Sequence, residues 1–158
     1  HLVLATEATV RLGAYRRALE ALDPAATVRE SACELLVALA EEGWTDGRIA
    51  SAIIERYLAE ASDTAFRADT IILGCTHFPL LKGAIRAIVP DDVLIIDSAS
   101  TTATVVAQAL ASRGLRGDQS EAGQLRFLAT DGATRFARVG GQFLGQPLRY
   151  SDVEIVDL

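Results

Sequence analysis

The apolar run Asp69-Thr70-Ile71-Ile72-Leu73, passing at once into Gly74-Cys75-Thr76-His77-Phe78-Pro79-Leu80-Leu81, constrains this chain more than any other segment. The first part reads as a buried strand. The part after Pro79 reads as a helix with apolar Leu80, Leu81, Ala84, Ile85 and Ile88. A strand that ends at a glycine and runs into a helix is the joint of a parallel βα unit. It also leaves a thiol at the strand end and the helix mouth, two residues before an imidazole. Helix N-termini and neighbouring imidazolium both favour thiolate over thiol, so this joint is a candidate proton-transfer site.

The rest of the chain repeats the same alternation. Strand-like segments lie near 2–5, 26–30, 69–74, 92–96, 124–129 and 153–157, and helical patterns near 8–22, 33–42, 46–61, 79–88, 100–113 and 133–144. In the 46–61 helix, Ile49, Ile53 and Tyr57 and then Ala50, Ile54 and Leu58 follow helical spacing, with Asp46 as its cap. Alternation of this kind predicts an α/β fold, with parallel sheets and crossover helices. Gly114 to Gly123 reads as a surface loop, and Gly140, Gly141, Gly145 and Pro147 end the last helix. Ligands of parallel sheets sit at the carboxyl ends of strands, where both Cys75 and Ser98 fall.

Composition narrows the partners. A net charge of −6 with scattered arginines argues against nucleic acid, which needs clustered Lys and Arg. No apolar run approaches the roughly 20 residues of a membrane-spanning helix, and no signal-like segment opens the chain, so a cytoplasmic location is expected. Two cysteines, Cys33 and Cys75, are expected to stay reduced. The chain lacks Met and starts His1 directly on a strand-like Leu2-Val3-Leu4-Ala5, which reads as a piece of something longer.

Each chemical candidate has a plainer alternative. Cys75 and His77, at i and i+2, can face one crevice, and ordinary pKa values of about 8.5 and about 6.5 suit acid–base work near neutrality. Equally, the pair can be a small buried thiol beside a capping histidine. Thr76 can offer a hydroxyl and an N–H to a carboxylate or close an ordinary turn. A structural zinc site wants four ligands in close pairs. Cys33, Cys75, His77 and His1 supply no second pair, so no metal is expected. Cys33, with no His or Lys beside it, reads as a small buried apolar residue. Glu41 and Glu42 close the 33–42 helix, one of them read from pattern alone as a surface charge. Asp97 and Ser98 can rim a polar pocket or cap the helix from 100 onward, the cap being favoured.

The run Gly74-Cys75-Thr76-His77-Phe78-Pro79-Leu80-Leu81 resembles the second cysteine motif of the bacterial glutamate racemase family, within the aspartate/glutamate racemase superfamily. The resemblance covers nearly the whole chain. It includes Leu4-Ala5-Thr6 with Ala8-Thr9-Val10-Arg11 and Tyr15, then Ser31-Ala32-Cys33 through Val37 to Gly43. Asp97-Ser98 with Thr102-Ala103, and Phe127 through Asp131 to Phe143-Leu144-Gly145, complete it. Glu34 and Ala38 stand where the family usually has proline. The family's F-D-S-G-x-G-G and first C-N-T motifs are absent.

The resemblance implies residues 1–97 as the second α/β domain and 98–158 as the return into the first. It implies cofactor-independent, two-base interconversion of L- and D-glutamate, whose D-product feeds peptidoglycan synthesis. Cys75 would be the acid/base for one face and His77 would assist it and touch substrate. Thr76 would bind substrate, and Glu41, eight residues after Cys33, would be the supporting acid. The partner implied is a small molecule, glutamate, with no cofactor, metal, nucleic acid or membrane; a homodimer is left open. Without the partner cysteine, the chain by itself is expected not to racemise. The alternatives are an aspartate-type racemase and a non-catalytic amino-acid-binding remnant.

Overall fold

A computed structural model of the chain describes residues 1–62, 66–117 and 123–157. Residues 118–122, half of the loop expected at Gly114–Gly123, therefore lie outside the described residues. The molecule divides into two compact units, His1–Ala107 and Gln108–Leu158.

The first unit is built on four parallel strands, β1 (Leu2–Ala5), β2 (Arg29–Ala32), β3 (Thr70–Leu73) and β4 (Leu94–Asp97), in the order β2-β1-β3-β4. β1 is buried along its whole length, as a central parallel strand covered on both faces must be. Helices α1 (Glu7–Leu12), α2 (Ala14–Leu22), α3 (Glu34–Glu42), α4 (Gly47–Ala61), α5 (Lys82–Arg86) and α6 (Ser98–Ser112) alternate with the strands, the last crossing into the second unit. One core gathers Leu2, Leu4, Leu36, Ile54, Leu73, Phe78, Leu81 and Ile85; a smaller one on the other face holds Val3, Ala5 and Val28.

Several expectations shift in detail. The helix expected over 8–22 breaks at Gly13, whose φ of 60° ends α1 in a left-handed turn and restarts the chain as α2. The strand expected at 26–30 forms at Arg29–Ala32, because a turn in which the Ala25 N–H donates to the Asp23 side chain delays the ladder. The expected 79–88 helix is a 3-10 turn over Phe78–Leu81 followed by the short α5. Pro79 has no N–H to give, and the Phe78 and Leu80 amides close i→i+3 bonds onto Cys75 and His77. In α4, Ala50, Ile54 and Ala61 are buried while Ile49 is exposed, and Asp46 occupies the N-cap position without a side-chain cap bond.

The second unit pairs β5 (Phe127–Ala129) with β6 (Val153–Ile155) in parallel, joined through α7 (Ala133–Leu144). The tail region expected as strand, helix and strand has that order.

Candidate active site

Because β1 to β4 are parallel, their carboxyl ends open on one edge, where the chain presents in turn Cys33, Thr6, Cys75 and Ser98. Gly74 makes this edge tight. Its N–H donates to the Leu4 carbonyl at 2.8 Å. A Cβ on it would lie 2.9 Å from the Tyr15 ring, 3.1 Å from that carbonyl oxygen and 3.2 Å from the Ala5 Cβ. Only glycine lets β3 leave the sheet this close to β1, and the next residue is Cys75.

From there the turn brings three expected residues into line. The Cys75 sulfur stands 3.9 Å from His77 Nδ1, and His77 Nε2 stands 3.4 Å from Glu41 Oε1. The Thr76 hydroxyl also reaches His77 Nδ1, at 3.4 Å. The histidine and glutamate side chains are both mostly buried, and Cys75 is half-buried. Glu41 comes from the last turn of α3, whose Leu36, Leu39 and Ala40 hold that helix in the core. Of the two adjacent glutamates, Glu41 reaches the imidazole and Glu42 is exposed.

A carboxylate on Nε2 favours the tautomer with the proton there, which leaves the Nδ1 lone pair facing the thiol. In that state His77 can accept the Cys75 proton, and the resulting imidazolium lies between two anions. The arrangement is that of a base, an orienting acid and a nucleophilic or proton-abstracting sulfur.

The other candidates fall elsewhere. Cys33 is fully buried at the N-cap of α3, 3.5 Å from the Ser31 carbonyl, and burial pushes its thiol up to about 11. Its chemistry is that of a small core residue. The Asp97 side chain is only 2% exposed; Lys82 donates to it at 2.7 Å, the Ser100 N–H at 2.7 Å and the Ser100 hydroxyl at 3.1 Å. The Lys82 hydrogen bond chiefly holds this carboxyl below the usual Asp range, and the Ser100 N–H bond makes Asp97 the cap of α6. Among the described residues, no three His, Cys, Asp or Glu side chains cluster as metal ligands would.

Two features escaped the sequence reading. The Thr6 and Thr9 hydroxyls lie 3.1 Å apart at the carboxyl end of β1, next to the strand that delivers Cys75. A T-x-x-T at the end of an apolar run was the available signal. Glu34, in a position where proline was the expected residue, accepts the Glu7 N–H at 2.5 Å and so ties α3 to the start of α1. An apolar cavity of about 490 Å³ lies away from the thiol, lined by Leu2, Phe66, Ile71, Val89 and Val93. No helix among the described residues is long and apolar enough to cross a membrane.

Comparison with known proteins covers the same stretch of chain. The Asp/Glu/Hydantoin racemase family matches residues 1–106, which include the whole Cys75–His77–Glu41 line. A glutamate racemase of Geobacter metallireducens is 40% identical over 146 residues, covering 92% of this chain and 53% of that protein. One of Koribacter versatilis is 39% identical over 178 residues, covering 99% of this chain and 60% of its own length. A solved glutamate racemase of Francisella tularensis, in complex with D-glutamate, superposes with a TM-score of 0.81 at 31% identity, over 99% of this chain and 57% of that one. The chain thus spans a little over half the length of these relatives. With a parallel α/β sheet, a thiol–imidazole–carboxylate line at its carboxyl edge and a family match over two-thirds of its residues, the chain belongs to the Asp/Glu/Hydantoin racemase family.

Proposed function

We propose that this chain carries one acid/base half of a glutamate racemase site, with Cys75 acting on one face of the substrate α-carbon. The observation that carries the reading is the unbroken line Glu41–His77–Cys75 at the carboxyl edge of a parallel sheet. Glutamate as substrate is supported by relatives that are glutamate racemases and by the Francisella racemase in complex with D-glutamate.

In the forward step the Cys75 thiolate removes the α-proton. The S–H bond forms as the Cα–H bond breaks, and the electron pair stays on a carbanion-like α-carbon. His77 holds the proton that the thiol has given up, and Glu41 keeps the imidazole oriented and balances its charge. Thr76 binds substrate, and the Thr6–Thr9 hydroxyl pair at the neighbouring strand end is placed to donate to a carboxylate. An amino-acid α-carbon is a far weaker acid than a thiol, so the site must stabilise the carbanion with fixed donors and exclude water. Inversion needs a second acid on the opposite face, the role of the C-N-T cysteine in the resemblance. Residues 1–97 form the second domain in this reading and 98–158 return to the first. The product D-glutamate would serve peptidoglycan synthesis.

The test is α-proton exchange in D2O with L- and D-glutamate, followed by the Cα–H NMR signal and by optical rotation. Exchange of one enantiomer without inversion is expected, and it should vanish in Cys75→Ala. Exchange that survives this substitution would remove Cys75 from the mechanism. Exchange with aspartate and none with glutamate would move the substrate.

A further inference from the structure

The segment that carries the site is tied to Asp97 at both ends, by backbone register on entry and by the buried Asp97 carboxylate on exit. On entry, Leu73, the last residue of β3, is register-paired with Asp97, the last residue of β4. On exit, Lys82, the first residue after the 3-10 turn, donates to Asp97 Oδ2 at 2.7 Å. Between these two anchors lie Gly74, Cys75, Thr76 and His77. Asp97 is in turn fixed by the Ser100 N–H and hydroxyl at the head of α6.

We propose that Asp97, acting through Lys82, is a positioning residue that holds the Cys75–His77 turn in register with Glu41. The inference rests on the reading of Cys75 as a base assisted by His77. Neither Asp97 nor Lys82 needs to touch substrate. The geometry to be protected is narrow. The sulfur–imidazole distance of 3.9 Å is already at the limit for a sulfur hydrogen bond, and the imidazole–carboxylate distance is 3.4 Å. A turn released at Lys82 would lengthen both, and a small displacement in such a line costs much of its effect. The groups around the thiol are His77 and Thr76 on its own turn and Glu41 from α3. Lys82 and Asp97 face each other at the turn's far end.

Local charge alone would make the opposite prediction for one of two variants, and this separates the roles. Lys82→Met removes a cation, so charge and positioning both disfavour the thiolate. Asp97→Asn removes an anion and leaves Lys82 unpaired, so charge alone favours the thiolate while lost positioning disfavours it. The experiment is the pH profile of Cys75 alkylation by iodoacetamide in the 158-residue chain. Cys75→Ser serves as the blank for buried Cys33.

If the inference holds, both variants move the midpoint upward and slow alkylation at neutral pH, by roughly tenfold for each pH unit moved. Lys82→Arg should restore the wild-type profile. A downward or unchanged midpoint in Asp97→Asn overturns the inference. A wild-type profile like that of free cysteine overturns instead the reading of Cys75 as an assisted base, and the inference falls with it. Circular dichroism of each sample checks folding. Lys82 is 41% exposed, and Lys82→Gln takes the place of the Met variant should that one not fold.

Discussion

Cys33 and Cys75 carry the same side chain in opposite surroundings, and each should be readable by itself. Burial holds the Cys33 thiol protonated up to about pH 11, whereas in the unfolded chain it ionises near its ordinary value. The folded state therefore binds the proton more tightly. Stability is intact below the unfolded value and falls as pH rises from about 9 towards about 11, by on the order of 2–3 kcal/mol. Urea midpoints across this range should decline, and in Cys33→Ala this part of the decline should disappear on a lower starting stability. Asp97 works in the other direction. Lys82, with the Ser100 amide, keeps its folded pKa below that of the unfolded chain, so its contribution is present above the ordinary Asp value of about 3.9 and is lost as pH falls through the folded one. Acid titration of stability should be flatter in Asp97→Asn than in the wild type. At this scale the sequence was legible where chemistry is local: Cys33 as a core residue and Asp97 as a cap follow from their neighbours. The contact between His77 and Glu41 was not, because no periodicity links an α3 terminus to a turn beyond β3, and only family resemblance pointed to it. Lys82 was invisible for the same reason.

Among elements, the β3-to-turn joint makes the sharpest prediction. Gly74→Ala puts a methyl group within 2.9 Å of the Tyr15 ring and 3.1 Å of the Leu4 carbonyl. The ring can yield, but the carbonyl belongs to a strand paired on both sides, so overpacking should cost about 1–3 kcal/mol. A lower urea midpoint at unchanged m-value would show this, and a midpoint equal to wild type would mean that β1 and β3 separate without penalty. Elements with a regular apolar period were readable in advance: β1, α3, α4 and α7 form close to where their patterns place them. Those decided by one backbone detail were not. Gly13 cuts a helix that side-chain periodicity runs straight through, and Pro79 turns the start of another into a 3-10 turn. Both leave the hydrophobic pattern intact, so pattern alone cannot register them.

For the molecule as a whole, burial is uneven. Among the described residues, the second unit contributes only Ala137 and Val153 to the buried apolar residues, and its sheet has two strands. Two-stranded sheets with so little core are marginal by themselves. Phe143, Leu144, Leu128 and Ile155 remain substantially exposed. Thermal or urea unfolding should therefore show two transitions, with amides of Gln108–Leu158 exchanging at lower denaturant than those of β1 and β3. A single transition seen alike by all amides would contradict this. The strand order also has a temporal side. β1 precedes β2 and β3 in the chain yet sits between them, so pairing β1 with β2 leaves the other flank of β1 bare until β3 is made. The thiol emerges only with the strand that closes that flank, and Glu41 must already be waiting on α3. The Cys75 sulfur, which follows β3, thus reaches its place beside His77 and the waiting Glu41 only in the event that covers the second flank of β1.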